Sequence, residues 1–441
     1  MDATFGFSKQ QRKVLFLSSL GGVLEFYDFI IYIFLTPFLE KVFFAQSDTY
    51  LATLKTLAIF SIGYFVRPFG GIVFAHFGDR YGRKVVFLLT VLFMAIPSFA
   101  IGILPTPAQI GWISPILLLF FRLMQGLSLG GEIPAAITFL YEHFMNKRKG
   151  LAIAILFFGL NAGILLGSLI TALLTSYLSE QQMLNYGWRI PFIIGGLFGL
   201  ISLYLRRYLQ ETQAFKALNK EGIAKIPLFE LMRIAPFRVV QGVFLVALGS
   251  ISIFFFLYWP QYLSQYMHYD FNQLMHLNTA CTLFLSFTVI LGGLLADKFG
   301  YYRLYFYGAV SMALLAYPLF LVFTLKSMIA ATLCYLTFSI IFGLLPCGYA
   351  VILCEAFPTA IRYSGISLSY NLAYAIFGGL SPVICTVAIH TFNNILAPAY
   401  YMIAVALLAS LAAFSGYIKA SNNKLLIKLR AAMYNMSLFV H

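Results

Sequence analysis

The sequence predicts an all-α polytopic membrane protein with twelve transmembrane helices in two related halves. Three observations predict this fold class: the apolar composition, a six-and-six arrangement of apolar runs, and loop motifs that occur twice. Apolar residues make up 61% of the 441 residues and charged residues only 10%. A soluble chain is about half apolar and a quarter charged, so this one could not cover itself with polar groups in water.

The apolar runs define the elements and their order. About 20 apolar residues are needed to cross a bilayer as a helix. Such runs lie at 14–43, 53–76, 85–105, 114–144, 151–178, 190–206, 239–267, 274–296, 303–325, 328–354, 364–391 and 397–419. The one long charged stretch separates the sixth run from the seventh. We therefore predict an N-terminal half at 1–206, a cytoplasmic linker at 207–237, a C-terminal half at 238–420 and a short basic cytoplasmic tail at 421–441.

Several classes of protein are excluded by the same features. The first run is too long for the core of a signal peptide, so we expect a retained helix. The net charge of +14 comes from short clusters between apolar runs, which argues against nucleic-acid binding. The five cysteines lie inside apolar segments without metal-ligand spacing, so we expect no metal site.

The distribution of Lys and Arg predicts the orientation. With the N terminus in the cytoplasm, nearly all of the 29 basic residues fall in cytoplasmic loops or termini. Those assigned to the outside are Lys41, Lys55, Arg189 and Lys326, and two more, Arg67 and Arg122, lie within the membrane. This strong positive-inside bias predicts a multi-pass protein with both termini in the cytoplasm.

Two loop motifs repeat between the halves. GDRYGRK at 78–84 corresponds to ADKFGYYR at 296–303. Glu142 is followed seven positions later by Lys149, and Glu355 is followed seven positions later by Arg362. Both motif pairs are separated by nearly the same length of chain, which predicts two parallel six-helix repeats. In transporters built this way, the substrate site lies between the repeats near the midplane.

These motifs carry a resemblance to a known family. GDRYGRK resembles the signature loop of the major facilitator superfamily, and the chain more narrowly resembles its metabolite–proton symporters, which include α-ketoglutarate, citrate, shikimate and proline/betaine permeases. The matching segments are Glu25–Phe29, Arg67–Gly71, Arg122–Gly126 with Gly130–Glu132, Trp188–Phe192, Glu355–Thr359 with Arg362, Tyr370–Leu372 and Phe377–Gly379. The chain departs from the family at Ala75, where glycine is usual, and at Tyr301 and Tyr302, where basic residues are expected.

The resemblance implies a major facilitator fold and a function. We expect a secondary active transporter, not an enzyme, that imports a small polar metabolite with a proton by rocking of its two halves. Three arginines in or near the membrane favour a carboxylate-bearing substrate. The resemblance also implies a bacterial inner membrane location. We expect no cofactor apart from the coupling proton, and no partner beyond the substrate and the bilayer, with the protein as a monomer.

Ionisable residues inside the predicted spans are the candidates for proton coupling, because burying a charge in a bilayer is costly. Glu25 and Asp28 lie three residues apart and share one face of the first helix. Two carboxylates so close in a low dielectric would not both ionise easily, so one could load and unload a proton. Glu132 is a third candidate. The alternative is that Arg67 or Arg122 neutralises the pair for purely structural reasons.

Polar residues on four helices are the candidates for substrate binding. Arg122 could hold a substrate carboxylate by a bidentate pair, with Gln125 near it, or could form a permanent structural ion pair. Arg67 is a second candidate, either facing the substrate or acting at a gate. The second half could supply neutral hydrogen bonds, although aromatic stripes are more often packing; these candidates are Tyr258, Tyr370, Asn371 and Tyr374.

The charged loop residues are the candidates for gating. The resemblance suggests that they hold the cytoplasmic gate closed in the outward-open state, and simple topology anchoring is the alternative. The predicted gating residues are Asp79, Arg80, Arg83, Glu142, Lys149, Arg189, Asp297, Glu355 and Arg362. For Arg189, an anchor at the outer membrane surface is as consistent with the sequence as a gate.

Two other functions stay open on sequence grounds. An exporter of drugs or siderophores could use the same fold, although the charged sites on the first and fourth helices favour a polar substrate. A non-transporting membrane receptor would bind a ligand without moving it across the bilayer.

Overall fold

The computed structural model describes residues 7–44, 49–145, 148–207, 211 and 227–437. The N-terminal half contains nine α-helices and a π-helical turn within this part of the chain. In order these are α1 Lys9–Phe34, α2 Thr36–Phe43, α3 Thr49–Tyr81, α4 Arg83–Gly102, α5 Pro107–Ile110, α6 Ile113–His143, α7 Lys149–Tyr177, α8 Glu180–Gln182, the turn Met183–Gly187 and α9 Arg189–Arg206.

The linker and the C-terminal half follow with the same architecture. They contain α10 Pro227–Ile234, α11 Pro236–Met267, α12 Phe271–Phe299, α13 Tyr301–Phe323, α14 Met328–Ala356, α15 Arg362–Ala373, a π-helical turn Tyr374–Gly378, α16 Ser381–Phe392 and α17 Ala397–Ser437. The predicted linker thus includes the short helix α10, whose Leu231 is fully buried. Residues 208–210 and 212–226 of the linker lie outside the described residues. The helix α17 continues into the predicted tail.

The predicted twelve spans all correspond to helical segments. Within the described residues, ten helices are long and apolar enough to cross a membrane, or eleven if the bent pair Glu180–Gly187 and Arg189–Leu205 is one span. The eleventh predicted run, 364–391, is divided between α15, the π-helical turn and α16. The predicted run 14–43 is also not continuous. It breaks at Leu35, because Pro37 stands in the first turn of a new helix, α2.

The helices pack mainly within two groups, which correspond to the predicted N-terminal and C-terminal halves. In the first half α1 packs on α7, α3 on α6, and α4 on both α6 and α9. In the second half α12 packs on α14, α13 on α14 and α17, and α11 on α15 and α17. The halves meet where α7 contacts α12 and α14, and where α15 contacts α3 and α6.

The repeated loop motifs form equivalent turns. Gly82 separates α3 from α4 with a φ of 108°, and Gly300 separates α12 from α13 with a φ of 93°. Residues with a Cβ rarely adopt this backbone conformation, so glycine permits each sharp reversal between two long helices. These turns lie at the end of the bundle that the charge distribution predicts to be cytoplasmic, called here the predicted cytoplasmic end.

Candidate functional site

A chain of buried polar side chains joins three helices of the first half. The Nη1 atom of Arg122 donates to Oε1 of Gln125 at 2.8 Å, one turn along α6. Nε2 of Gln125 donates to Oγ of Ser98 on α4 at 2.6 Å. The Ser98 hydroxyl in turn contacts Oδ2 of Asp28 on α1. Asp28 and Arg122, predicted here as a proton-coupling and a substrate-binding residue, are therefore connected through two intermediate side chains.

The other carboxylate oxygen of Asp28 lies against the backbone of α9. A Cβ added at Gly195 would stand 2.1 Å from Oδ1, so glycine leaves the space that the carboxylate occupies. Oδ1 has no hydrogen-bond partner within the described part of the chain. Glu25, one turn earlier on α1, is buried as well.

Arg122 is fully buried in an aromatic surround. Its guanidinium lies 4.6 Å from the ring centroid of Phe29, 4.5 Å from Tyr32 and 5.5 Å from Phe60. Cation–π contacts of this kind stabilise the charge only partly. Among the described residues, its Nε and Nη2 atoms have no hydrogen-bond partner, and no acidic side chain forms an ion pair with it. Within the described part of the chain, Arg122 therefore does not form the permanent Arg–acid pair considered from the sequence.

Arg67 is surrounded by a second group of aromatic side chains, at the interface between the two halves. Its guanidinium is 5.4 Å from the ring centroid of Tyr64, 5.7 Å from Tyr370 and 4.8 Å from Tyr374. Tyr64 belongs to α3, whereas the other two tyrosines come from the second half. Arg67 is 1% exposed, and its Nε and Nη2 atoms have no hydrogen-bond partner within the described residues. It is thus a second buried cation without a matching anion there.

Close helix packing brings the second-half residues to this place. A Cβ at Gly71 of α3 would lie 2.4 Å from Nδ2 of Asn371, so glycine permits the contact between α3 and α15. Asn371 donates from Nδ2 to the carbonyl of Gly130 on α6 at 2.7 Å. The α-helix changes to a π-helical turn at Tyr374. Such turns often occur at functional sites because they re-aim side chains without ending the helix.

The remaining predicted binding and coupling residues lie elsewhere in the structure. Oε2 of Glu132 accepts from Oγ1 of Thr90 at 2.5 Å, within the first half. The hydroxyl of Tyr258 is 3.2 Å from Oγ1 of Thr386, which connects α11 to α16 within the second half.

The predicted gating residues form crossed contacts at the predicted cytoplasmic end. Arg362 of the second half donates from Nη1 to Oε1 of Glu142 of the first half at 2.8 Å, and both side chains are buried. Lys149 of the first half pairs with Glu355 of the second. Each acid therefore pairs with the base of the other half and not with the base seven residues after it.

Two aspartates form a second crossed arrangement. Asp79 of the first half accepts from the backbone N–H groups of Tyr363 at 3.3 Å and Ser364 at 2.8 Å, at the start of α15. Asp297 of the second half accepts from the N–H groups of Gly150 at 2.8 Å and Leu151 at 2.9 Å, at the start of α7. Each carboxylate thus caps a helix N-terminus of the opposite half, where the helix dipole favours negative charge.

Two other predicted gating residues, Arg189 and Arg80, take no part in these crossed contacts within the described residues. Arg189 donates from Nη1 to the carbonyls of Gly102 at 3.2 Å and Leu104 at 2.6 Å, so it caps the end of α4 within the first half. This geometry favours the anchoring alternative for Arg189. Arg80 is exposed with its guanidinium 5.4 Å from the Tyr81 ring centroid. The side chain of Arg83 lies outside the described residues.

Four residues of the site were not predicted from the sequence: Ser98, Gly195, Tyr64 and Tyr301. Tyr64 precedes Arg67 by three positions, a spacing that places both on one helix face. Ser98 follows Pro97 and is one of two hydroxyl side chains in the apolar run 85–105, which is the available signal. Tyr301 donates to Oδ1 of Asp297 at 2.6 Å, which gives a role to a residue noted only as a departure from the family.

Two repeated six-helix halves, with buried charges between them and crossed contacts at one end, define the class: a two-half membrane transporter. The chain belongs to the Major Facilitator Superfamily, whose family profile matches residues 18–382. It is therefore a transporter and not an enzyme. These findings confirm the resemblance inferred from the loop motifs.

Individual relatives and solved structures are consistent with this family assignment. The chain is 32% identical over 424 residues to the glycine betaine/proline/ectoine/pipecolic acid transporter OusA of Dickeya dadantii, covering 94% of this chain and 84% of that one. It is 32% identical over 406 residues to the proline/betaine transporter of Escherichia coli K12, covering 90% and 81%. A structure of the proton:xylose symporter XylE shares the fold at a TM-score of 0.75 and 17% identity, covering 92% and 94%. An inward-open structure of XylE from E. coli has a TM-score of 0.63 at 18% identity, covering 92% and 95%.

Proposed function

We propose that this protein is a proton-coupled symporter that imports a small carboxylate-bearing zwitterion by alternating access. The observation that carries the proposal is the pair of buried arginines, Arg67 and Arg122, each with two guanidinium nitrogens that lack a hydrogen-bond partner among the described residues. A buried charge without a counter-ion is strongly destabilising. A substrate carboxylate would supply both the missing anion and the missing hydrogen-bond acceptors.

The aromatic surroundings favour a zwitterion over a simple organic anion. Tyr64, Tyr370 and Tyr374 present ring faces next to Arg67. Ring faces attract a cationic nitrogen, including a quaternary ammonium group. The relatives are named for transport of proline and betaine, compounds with one carboxylate and one cationic nitrogen. In this proposal Arg67 or Arg122 binds the carboxylate, while the tyrosine rings face the cationic nitrogen.

The proposed coupling and gating roles follow from the same geometry. Asp28 is the proton-binding residue, with Glu25 and Glu132 as further candidates. The crossed contacts of Asp79, Asp297 and the two ion pairs hold the predicted cytoplasmic end closed while substrate enters from the other side. Both termini then face the cytoplasm, in a bacterial inner membrane.

Uptake into proteoliposomes with an imposed inward proton gradient tests the proposal. The panel is L-proline, glycine betaine, α-ketoglutarate, citrate and shikimate, each with and without a protonophore. We expect gradient-dependent uptake of a zwitterion, lost in Arg67→Met and unchanged in Lys41→Gln, which changes an exposed residue remote from the site. If no compound accumulates but one raises the melting temperature, an exporter, a uniporter or a receptor replaces the symporter.

A further inference from the structure

We propose that Ser98 is a positioning residue that transmits the protonation state of Asp28 to Arg122 through Gln125. This inference deepens the proposed function and rests on it, because it names how proton binding and substrate binding communicate. The four side chains are all buried and lie on three different helices, α1, α4 and α6. Asp28 and Arg122 make no direct ion pair within the described residues, so the hydrogen-bonded route between them runs through the two residues in between.

The chemistry of the donors determines the direction of each hydrogen bond between Arg122, Gln125 and Ser98. A guanidinium can only donate, so the oxygen of the Gln125 amide must face Arg122 and its NH₂ group must face Ser98. The Ser98 hydroxyl therefore accepts from Gln125 and has one hydrogen left to donate. Two acceptors compete for that hydrogen: Oδ2 of Asp28 and the carbonyl of Met94, 2.9 Å away one turn earlier on α4.

The protonation state of Asp28 decides which acceptor Ser98 uses. When the carboxylate is ionised, Ser98 donates to Oδ2, because hydrogen bonds to charged acceptors are the stronger ones. When a proton binds at Oδ2, that atom becomes a donor to Oγ of Ser98. The Ser98 hydrogen then turns to the Met94 carbonyl, and Oγ accepts from both Asp28 and Gln125. No proton leaves Ser98 in either step.

The consequence for Arg122 is a change at Gln125, the side chain to which its Nη1 atom donates. In the protonated state, the Gln125 amide shares Oγ of Ser98 with a second donor, so the amide is held less tightly. Nη1 of Arg122 is then freer to turn from Gln125 toward a substrate carboxylate. Proton binding would thus favour substrate binding, as symport requires.

The groups around Asp28 leave this route open. Arg122 on α6 is the charged side chain that acts on Asp28, and Tyr27 on α1 is the neighbouring titratable group. Tyr27 donates its hydroxyl hydrogen to the carbonyl of Pro191 at 2.9 Å. Glu25 lies one turn away on α1, α4 contributes Ser98, and α9 brings its backbone at Gly195 against Oδ1 of Asp28.

Difference infrared spectroscopy of the purified protein in nanodiscs tests the relay without any substrate. The carboxylic acid band of Asp28, assigned by its loss in Asp28→Asn, is titrated against pH. We expect the midpoint to move up by about one pH unit in Ser98→Ala, because the ionised carboxylate loses one hydrogen bond worth about 1.5 kcal/mol. Gln125→Leu should move it in the same direction by less. Ser98→Thr keeps the hydroxyl and should titrate like the wild type.

Ser202→Ala is the matched control, because Ser202 is a buried serine of the same half whose hydroxyl has no partner among the described residues. It should leave the midpoint unchanged. An unchanged midpoint in Ser98→Ala or in Gln125→Leu, or the lack of a titrating Asp28 band in the wild type, would overturn the relay. Failure of the transport panel would instead overturn the proposed function, since the titration requires no transport.

Discussion

Removing one partner of the buried Glu142–Arg362 pair should open the predicted cytoplasmic end. In Glu142→Gln, Arg362 keeps its charge and its hydrogen bond to the Cys354 carbonyl at 3.0 Å but loses its counter-ion. Breaking a buried pair by removing one partner costs about 3–5 kcal/mol. The cost falls on the closed state, because opening this end exposes Arg362 to water. Gln still offers an acceptor, so we take about 3 kcal/mol, which is about a 100-fold shift toward the open state.

Cys354 is a native reporter of this opening. It is buried at the end of α14, directly beside Arg362, and opening of the gate would expose its thiol. The other cysteines, Cys281, Cys334, Cys347 and Cys385, are replaced by serine or alanine to leave a single reactive site. The assay is the rate of Cys354 modification by a maleimide in nanodiscs. We expect a rate about 100-fold higher in Glu142→Gln, in proportion to the open population.

Two comparisons make this measurement decisive. The charge swap Glu142→Arg with Arg362→Glu rebuilds the ion pair and should return most of the protection of Cys354. Lys41→Gln removes a partner of the exposed pair Lys41–Glu180, which lies within the first half, and should leave the labelling rate unchanged. A wild-type labelling rate in Glu142→Gln would refute the idea that this pair holds the closed state.

Three further predictions follow from the site. Asp28→Asn should abolish proton-driven accumulation in proteoliposomes while sparing counterflow of the same substrate; full accumulation by this variant would remove Asp28 from coupling. Arg122→Ala should weaken substrate binding about tenfold to 100-fold, because hydrogen bonds to a charged group contribute about 1.5–3 kcal/mol. Calorimetry measures the affinity, and an unchanged value would return Arg122 to a structural role. Tyr301→Phe deletes the hydroxyl that donates to Asp297. The closed state should lose about 1.5 kcal/mol of stabilisation, so the rate of Cys354 labelling should rise about tenfold. An unchanged labelling rate would show that the hydrogen bonds from the backbone N–H groups to Asp297 are sufficient.

The fold was predictable because its causes are local and periodic. Apolar runs long enough for a bilayer and a repeated loop motif are visible in one dimension, and the equivalent turns at Gly82 and Gly300 confirm the repeat. The two broken runs were harder. A proline in the first turn of a helix, such as Pro37, is compatible with a long apolar run, so hydropathy alone does not place the break.

The site was predictable only as a set of residue types. The free-energy cost of burying a charge in a bilayer identifies Asp28, Arg67 and Arg122 as candidate functional residues, whatever the direction of their side chains. Their partners depend on helix rotation and on the contacts between helices, which no spacing within one helix reveals. The sequence therefore gives no sign that Ser98 and Gln125 connect Arg122 to Asp28. The same limit applies to the ion pairs, because the spacing of Glu142 and Lys149 gives no sign that each pairs with the other half.

Because the ion pairs at the predicted cytoplasmic end join opposite halves, they depend on the conformation of the protein. An acid and a base paired within one half would move together as a rigid unit, and their attraction would be the same in every conformation. Pairs formed between Glu142 and Arg362, and between Lys149 and Glu355, exist only while the halves are close at this end. Opening it must therefore be compensated by new contacts between the halves elsewhere. The central cation Arg67 is placed for this, since it belongs to the first half while Tyr370 and Tyr374 belong to the second. In the form of the proposal in which Arg67 binds the carboxylate, a cationic nitrogen on those rings would tie the halves together through the substrate, so that the loaded carrier opens more readily than the empty one.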